Sequence, residues 1–138
     1  MSKLPAPVPD ISPETKPFWD ATLEGRLLIR ACNDCAAYYW YPRTICPLCG
    51  SLDTRWHDAA GTGTVYSSTV VRRDVGEYAD ATPFVLAYVE LDEGPRMIAH
   101  LVEVDVENVA IGDRVRAVFA PTDGDAALVR FTTAGDTR

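Results

Sequence analysis

The sequence has no apolar run close to the ~20 residues that a helix needs to cross a bilayer, so nothing in it predicts a membrane span. The first ten residues carry prolines where a secretory signal would carry an apolar stretch. These two absences lead us to expect a cytoplasmic protein. Thiols stay reduced in the cytoplasm, so four cysteines are not expected there as two disulfides.

An excess of basic charge is also missing. The formal net charge is −7. Residues 1–60 hold six basic and seven acidic side chains, whereas residues 61–138 hold seven basic and thirteen acidic ones. Proteins that neutralise phosphates usually present a basic face, so this composition argues against a nucleic-acid partner, although it leaves room for a local basic patch.

The sequence lacks the common catalytic motifs. It contains no phosphate-binding glycine loop, no dinucleotide signature and no HExxH. The two histidines, His57 and His100, have no sequence neighbours that suggest a serine or cysteine nucleophile. We therefore expect no catalytic residue in this chain, and a stand-alone enzyme remains only an alternative.

Four cysteines give the clearest chemical signal. Cys32 and Cys35 form one Cys-x2-Cys pair, ten residues separate it from the next, and Cys46 and Cys49 form the second. Each pair places two sulfurs in one tight turn, and a hairpin that joins the turns completes a tetrahedron of sulfur. The pattern predicts one structural metal ion with no open position for a substrate.

The identity of the metal is open at this stage. Zinc is the first choice because a closed four-thiolate site is typical of structural zinc. Iron also binds four thiolates, and a redox disulfide pair is a third alternative. The short segments around the cysteines have too little apolar content for a core, so metal binding should supply their folding free energy.

We expect three parts along the chain. Residues 1–25 form an extended, proline-rich arm, which either docks on a partner or is disordered, and a short helix that ends at Gly25. Residues 26–60 form the metal module. Residues 61–138 form a small barrel of five mostly antiparallel strands, at 64–72, 84–91, 96–104, 114–120 and 127–131. The alternation from Val85 to Leu91 places apolar residues on one face.

A few residues outside the cysteines are candidates for contacts with a ligand or partner. Aromatic residues concentrate in the first third of the chain, and Phe18, Trp19 and Tyr41 among them suit an apolar ligand or a partner subunit; packing of a small metal module is the alternative. Three arginines suit the phosphates of an anionic ligand, with solvated loop positions as the alternative: Arg43, Arg72 and Arg73.

The order of these parts resembles a known family. The motifs are Pro17-Phe18-Trp19-Asp20-Ala21 and Leu23-Glu24-Gly25-Arg26-Leu27 before the cysteines, Tyr41-Pro42-Arg43 and Trp56 among them, and Gly61-x-Gly63-x-Val65-Tyr66, Leu91-x-Glu93-Gly94 and Ile111-Gly112-x-x-Val115 after them. Over residues 12 to 132 the chain resembles the family catalogued as domain of unknown function thirty-five.

The resemblance implies a mainly β fold, in which an N-terminal helix and a rubredoxin-like zinc ribbon precede a five-stranded OB-fold. It implies a non-catalytic accessory subunit that acts with a thiolase-fold enzyme, an aldolase or a hot-dog-fold hydratase, with steroid side-chain or other lipid degradation among its settings. The accessory chain would scaffold the partner and help shape an acyl-CoA site. From the family we carry over only the four cysteines, as metal ligands. A nucleic-acid-binding module remains the alternative function, since OB-folds and zinc ribbons serve that role elsewhere.

Overall fold

The structure is a computed structural model that describes residues 4–134. In chain order its elements are α1 (Lys16–Thr22), β1 (Leu28–Cys32), β2 (Tyr38–Tyr39), β3 (Thr54–Asp58), β4 (Thr62–Val71), a 3-10 helix (Gly76–Ala81), β5 (Phe84–Leu91), β6 (Arg96–Leu101), β7 (Arg114–Pro121) and β8 (Ala127–Thr133). No helix within 4–134 has the length and apolarity to cross a bilayer.

Helix α1 is short, and proline sets where it begins. Pro17 lies in the first turn, the part of a helix that tolerates a residue without an N–H. Ser12 precedes the helix by one turn and exchanges hydrogen bonds with Thr15 instead of capping α1. Gly25 follows the helix with φ of 72°, as expected for the residue that ends it.

Strands β1 to β3 form a small antiparallel sheet in the order β2-β1-β3. The central strand β1 is buried along its whole length. Strand β2 has only two residues, whereas β3 pairs with all five residues of β1. The two cysteine-bearing loops lie between β1 and β2 and between β2 and β3. The sheet is the platform from which the loops project.

Strands β4 to β8 form the expected closed barrel, in the order β4-β5-β6-β8-β7. The predicted fold class is confirmed. Val85, Ala87, Val89 and Leu91 are at most 2 % exposed, as their alternation predicted. One irregularity was not predicted: the register of β4 against β5 shifts between Val65 and Ser67, so the strand bulges there.

One hydrophobic cluster joins the two sheets. The barrel interior packs with Phe18 of α1 and with Leu27 and Ile29 beside and within β1. The metal module keeps a separate cluster of only three buried residues, Cys32, Tyr39 and Cys46. Leu27 and Ile29 therefore belong to the barrel core, although they lie in the range predicted for the metal module. The division into 1–25, 26–60 and 61–138 stays a prediction.

The N-terminal arm lies along the barrel from residue 4 onward. Arg130 of β8 donates a hydrogen bond of 2.5 Å to the carbonyl of Pro5. Val8 lies against Gly124. The described part of the arm thus follows its own barrel, which the sequence did not indicate.

Candidate metal centre and the trough beside it

The four cysteine sulfurs meet at one point of the small sheet. Sγ of Cys32 lies 3.6 Å from Sγ of Cys49, Sγ of Cys35 lies 3.7 Å from Sγ of Cys46, and all four lie within 4.8 Å of one another. Four sulfurs at about 2.3 Å from a tetrahedral metal are separated by about 3.8 Å. The observed distances fit that arrangement and are far longer than an S–S bond of about 2.05 Å.

The backbone gives the two cysteine loops the same shape. Residues Ala36 and Gly50, each directly after the second cysteine of its pair, have φ of 63° and 80°. This turn directs backbone N–H groups at sulfur: Cys35 donates to Sγ of Cys32 and Leu48 to Sγ of Cys46, each at 3.4 Å. Glycine at the second position avoids the strain that alanine bears at the first.

The electrostatics of the thiols favour a cation between them. Burial raises the pKa of Cys46, but the backbone N–H groups of Leu48 and Cys49 outweigh it and lower that pKa to about 7. The N–H of Ser51 lowers the pKa of Cys49, but burial and the three neighbouring sulfurs outweigh it and raise that pKa to about 12. Four thiols this close cannot all ionise alone. A metal cation removes the conflict, because thiolates are its ligands.

Side chains tie the two cysteine loops together. Asn33 donates to Asp53 at 2.9 Å and accepts from Arg55 at 3.0 Å, and Ser51 donates to Asp34. Asn33, Asp34 and Ser51 lie in the cysteine loops, whereas Asp53 directly precedes β3 and Arg55 lies in it. They hold the loops in register, so the four sulfurs converge without help from a large core.

A shallow trough lies where the metal module and α1 meet the barrel. Its cavity has a volume of about 260 Å³. Phe18, Trp19, Trp40 and Tyr41 form one wall, and the other consists of residues from β5, β6 and β8: Leu86, Met97, Ile98, Ala99, His100, Leu128, Val129 and Arg130. The surface is mainly apolar, with polar groups at Trp19, His100 and Arg130.

The structure brings some of the predicted contact residues together and separates others. Trp19 and Tyr41 both line the trough, and Tyr41 is 43 % exposed. Phe18 is 2 % exposed and packs in the core, so it can act on a ligand only by supporting its neighbours. The three arginines do not line the trough. Arg43 is exposed near the cysteine loops, and Arg72 and Arg73 are exposed after β4, where Arg72 pairs with Glu107 at 3.0 Å.

His100 and Arg130 are trough residues that sequence reasoning did not identify. Burial lowers the pKa of His100, and the nearby charge of Arg130 lowers it further. Burial also lowers the pKa of Arg130. The two residues are thirty positions apart and meet only because β6 and β8 are neighbours in the barrel. The available sequence signal for this pair was Arg130, a charged residue among the apolar residues of β8.

A second missed feature joins the metal module to the barrel. His57 of β3 lies 3.5 Å from the carboxylate of Glu93, and its ring packs on Tyr38 at 4.6 Å. The other carboxylate oxygen of Glu93 accepts no hydrogen bond from any residue within 4–134 and is buried. The Glu93 side chain is only 13 % exposed.

Two family models match the chain in succession. Residues 19–55 match the rubredoxin-like zinc ribbon domain of ChsH2, and residues 56–120 match the C-terminal OB-fold domain of ChsH2. The site and the barrel thus define a zinc-ribbon and OB-fold protein, and the metal is a structural zinc that the four cysteines are positioned to hold.

Several known proteins are similar over most of the chain. A DUF35 domain-containing scaffold protein of Methanothermobacter thermautotrophicus is 35 % identical, over 72 % of this chain and 77 % of its own length. A probable enoyl-CoA hydratase alpha subunit of Thermomonospora curvata is 34 % identical over 93 % of this chain. The 3-oxo-4,17-pregnadiene-20-carboxyl-CoA hydratase alpha subunit of Mycobacterium tuberculosis is 32 % identical over 80 % of it.

A solved structure agrees with this grouping. A chain of the Ltp2-ChsH2(DUF35) aldolase superposes with a TM-score of 0.80 and 34 % identity, over 92 % of this chain and 99 % of that one. The chain belongs to the DUF35 family of ChsH2-type zinc-ribbon and OB-fold proteins. It spans only 40 % and 35 % of the two hydratase alpha subunits that it matches.

Proposed function

We propose that the chain is a non-catalytic accessory subunit of an acyl-CoA-processing enzyme complex. The observation that carries the proposal is the match to a DUF35 chain of an aldolase, at 34 % identity over 99 % of that chain. The two hydratase alpha subunits support the same class of partner by their names. The catalytic residues would lie in the partner, which fits a chain whose chemistry-bearing cluster is a closed thiolate site.

The zinc would act structurally through all four cysteines. Cys32, Cys35, Cys46 and Cys49 offer one sulfur each, and together they fill a tetrahedron. The ion would fix the cysteine loops, and through β1 it would stabilise the wall of the trough. No step of the partner's reaction needs to pass through the metal.

The partner enzyme would be a thiolase-fold enzyme, an aldolase among them, or a hot-dog-fold hydratase. A steroid acyl-CoA is one candidate substrate class, as in the name of the Mycobacterium tuberculosis relative. Trp19 and Tyr41 would face the partner or the acyl group along the trough, supported from below by Phe18. Arg43, Arg72 and Arg73 are exposed and would be available to CoA phosphates at an acyl-CoA site shared with the partner.

Affinity purification from the native host, followed by mass spectrometry, tests the proposal. We expect a stoichiometric thiolase-like or hydratase-like enzyme whose acyl-CoA turnover falls when this chain is removed, and no turnover by this chain alone. Co-elution of nucleic acid instead of an enzyme would refute the proposal and support the nucleic-acid-binding alternative. Turnover by the pure chain would refute its non-catalytic part.

CoA contact has its own test in the same complex. Arg43, Arg72 and Arg73 are replaced together by glutamine, with Arg116→Gln at an exposed position of β7 as the control. Weaker CoA binding in the triple variant only, measured by calorimetry, is the expected result. Unchanged affinity would remove CoA phosphates as the role of these arginines.

A further inference from the structure

Strand β6 is paired along its whole length on one side only. All six of its residues pair with β5, from Glu90↔Arg96 to Val85↔Leu101. On the other side it pairs with β8 at a single position, Leu101↔Phe131. The two strands therefore separate on the Arg96 side of this contact, and the trough occupies the gap between them.

The hydrogen-bond pattern shows which backbone groups face the gap. Along an antiparallel strand, alternate residues turn their N–H and C=O to the same neighbour. Leu91 donates to the carbonyl of Pro95 at 2.8 Å, so odd-numbered residues of β6 face β5. Val102 donates to the carbonyl of Phe131 at 2.8 Å, so even-numbered residues face β8. Ile98 thus turns its N–H and C=O into the gap, where no described strand pairs with it.

The gap is accessible and apolar. The side chain of Ile98 is 66 % exposed. A second shallow cavity shares Leu86 and Ile98 with the trough and continues across Ala87 and Tyr88 to 67–69 of β4. The free part of β6, from Arg96 to Ala99, measures about 14 Å at about 3.4 Å per residue. An unpaired edge of this kind beside an apolar surface is where a further strand adds.

Two polar groups indicate what the added strand carries. The indole N–H of Trp19 is buried in this region and has no hydrogen-bond acceptor among residues 4–134. Arg130 is only 6 % exposed. It donates to the carbonyl of Pro5 and forms no ion pair with a described carboxylate. A carbonyl and a carboxylate would complement these two groups.

We propose that the β6 edge binds an extended segment of the partner enzyme, which adds as a strand and brings an acidic side chain to Arg130. The segment bonds through its backbone to Ile98, places apolar side chains on Leu86 and Tyr41, and offers a carbonyl to Trp19. The inference rests on the proposed function, since it names how the partner is held. The positive charge of Arg130 and the open backbone favour an acidic peptide. A second copy of this chain is less favourable, because its Arg130 would repel the Arg130 of the first.

Amide hydrogen exchange on the purified complex tests the backbone part. In the free chain, we expect the Ile98 amide to exchange fast, and Met97 and Ala99 to be protected by β5. In the complex with the co-purified enzyme, Ile98 should slow at least tenfold, while Met97 and Ala99 change little. Docking through side chains alone would not give this alternation. An unchanged Ile98 amide in an intact complex would overturn the inference.

Two pairs of variants provide the second measurement. Ile98→Pro removes the N–H that faces the gap and leaves the bonds to β5, whereas Ile98→Val keeps that N–H. Arg130→Gln removes the charge in the trough, and Arg116→Gln removes an exposed charge on β7. We expect Ile98→Pro and Arg130→Gln to weaken partner binding at least tenfold, and both controls to stay within twofold.

The outcomes separate this inference from the proposed function. Equal binding by Ile98→Pro and Ile98→Val, in a complex that still forms, would refute strand addition and leave the accessory role intact. Protection of Ile98 that rises with protein concentration without the enzyme would assign the edge to a second copy and overturn the inference. Failure to recover any enzyme would instead refute the proposed function, on which the inference depends.

Discussion

Removal of the zinc should unfold the metal module and also weaken the barrel. Structural zinc sites contribute about 10–16 kcal/mol of binding free energy, which exceeds the stability of most small domains. The module has a separate cluster of only three buried residues to offset this loss. Cys46→Ala should therefore lose the metal and unfold residues 26–57.

The effect on the barrel follows from β1. Leu27 and Ile29 are 2 % and 0 % exposed and pack in the barrel cluster. If the module unfolds, these two side chains leave that cluster, and each contributes about 1.5–3 kcal/mol by burial. The barrel should then lose about 3–6 kcal/mol, which lowers its Tm by about 10 °C or more.

Two probes separate the module from the barrel. All three tryptophans, Trp19, Trp40 and Trp56, precede the barrel strands, so tryptophan fluorescence reports on the helix and the module. Amide exchange of β5 reports on the barrel. Leu48→Ala is the matched control, because Leu48 lies between Cys46 and Cys49 and is 71 % exposed. A Cys46→Ala protein with native fluorescence, or with unchanged exchange in β5, would refute the coupling.

Three further predictions concern single contacts. Gly63→Ala should cost about 2 kcal/mol or more in urea denaturation, since its Cβ would lie 2.5 Å from the carbonyl oxygen of Glu90; wild-type stability would show that the strands can part. Thr22→Val should lower the free energy of unfolding by about 1–3 kcal/mol, because the Thr22 hydroxyl accepts a buried hydrogen bond from the N–H of Ala127 at 3.0 Å. Thr22→Ser keeps the hydroxyl and should therefore retain most of the wild-type stability in the same assay. Hydrogen bonds from Arg114 and Thr62 lower the pKa of Asp92 from 3.8 to about 2. The resulting stability is complete above about pH 4 and is lost as the pH falls towards 2. Because the Asp92 side chain is 40 % exposed, we expect about 1 kcal/mol, and Arg114→Met should remove this acid dependence of thermal unfolding.

The elements with a local cause were predictable from the sequence. The spacing of the cysteines gives the thiolate cluster, because two-residue gaps fix where sulfurs point. The alternation from Val85 to Leu91 gives a barrel strand, because the period of two places its apolar residues on one side. Gly25 gave the end of α1 to within a few residues, since glycine readily adopts the positive φ that ends a helix.

The features that depend on tertiary packing were not predictable. A helix of seven residues does not reveal which face is buried, so Phe18 was a contact candidate although it packs in the core. His100 and Arg130 meet across strands that are distant in sequence. The gap between β6 and β8 follows from how far apart the two strands lie before they meet at Leu101 and Phe131, a quantity that neither strand encodes alone.

The accessory role is tested most directly by native mass spectrometry of the assembly from the native host. The account predicts a hetero-oligomer in which each 15.1 kDa copy of this chain carries one zinc ion and accompanies an acyl-CoA enzyme in a fixed ratio. A species that contains only this chain, at concentrations where the enzyme is present, would contradict the account.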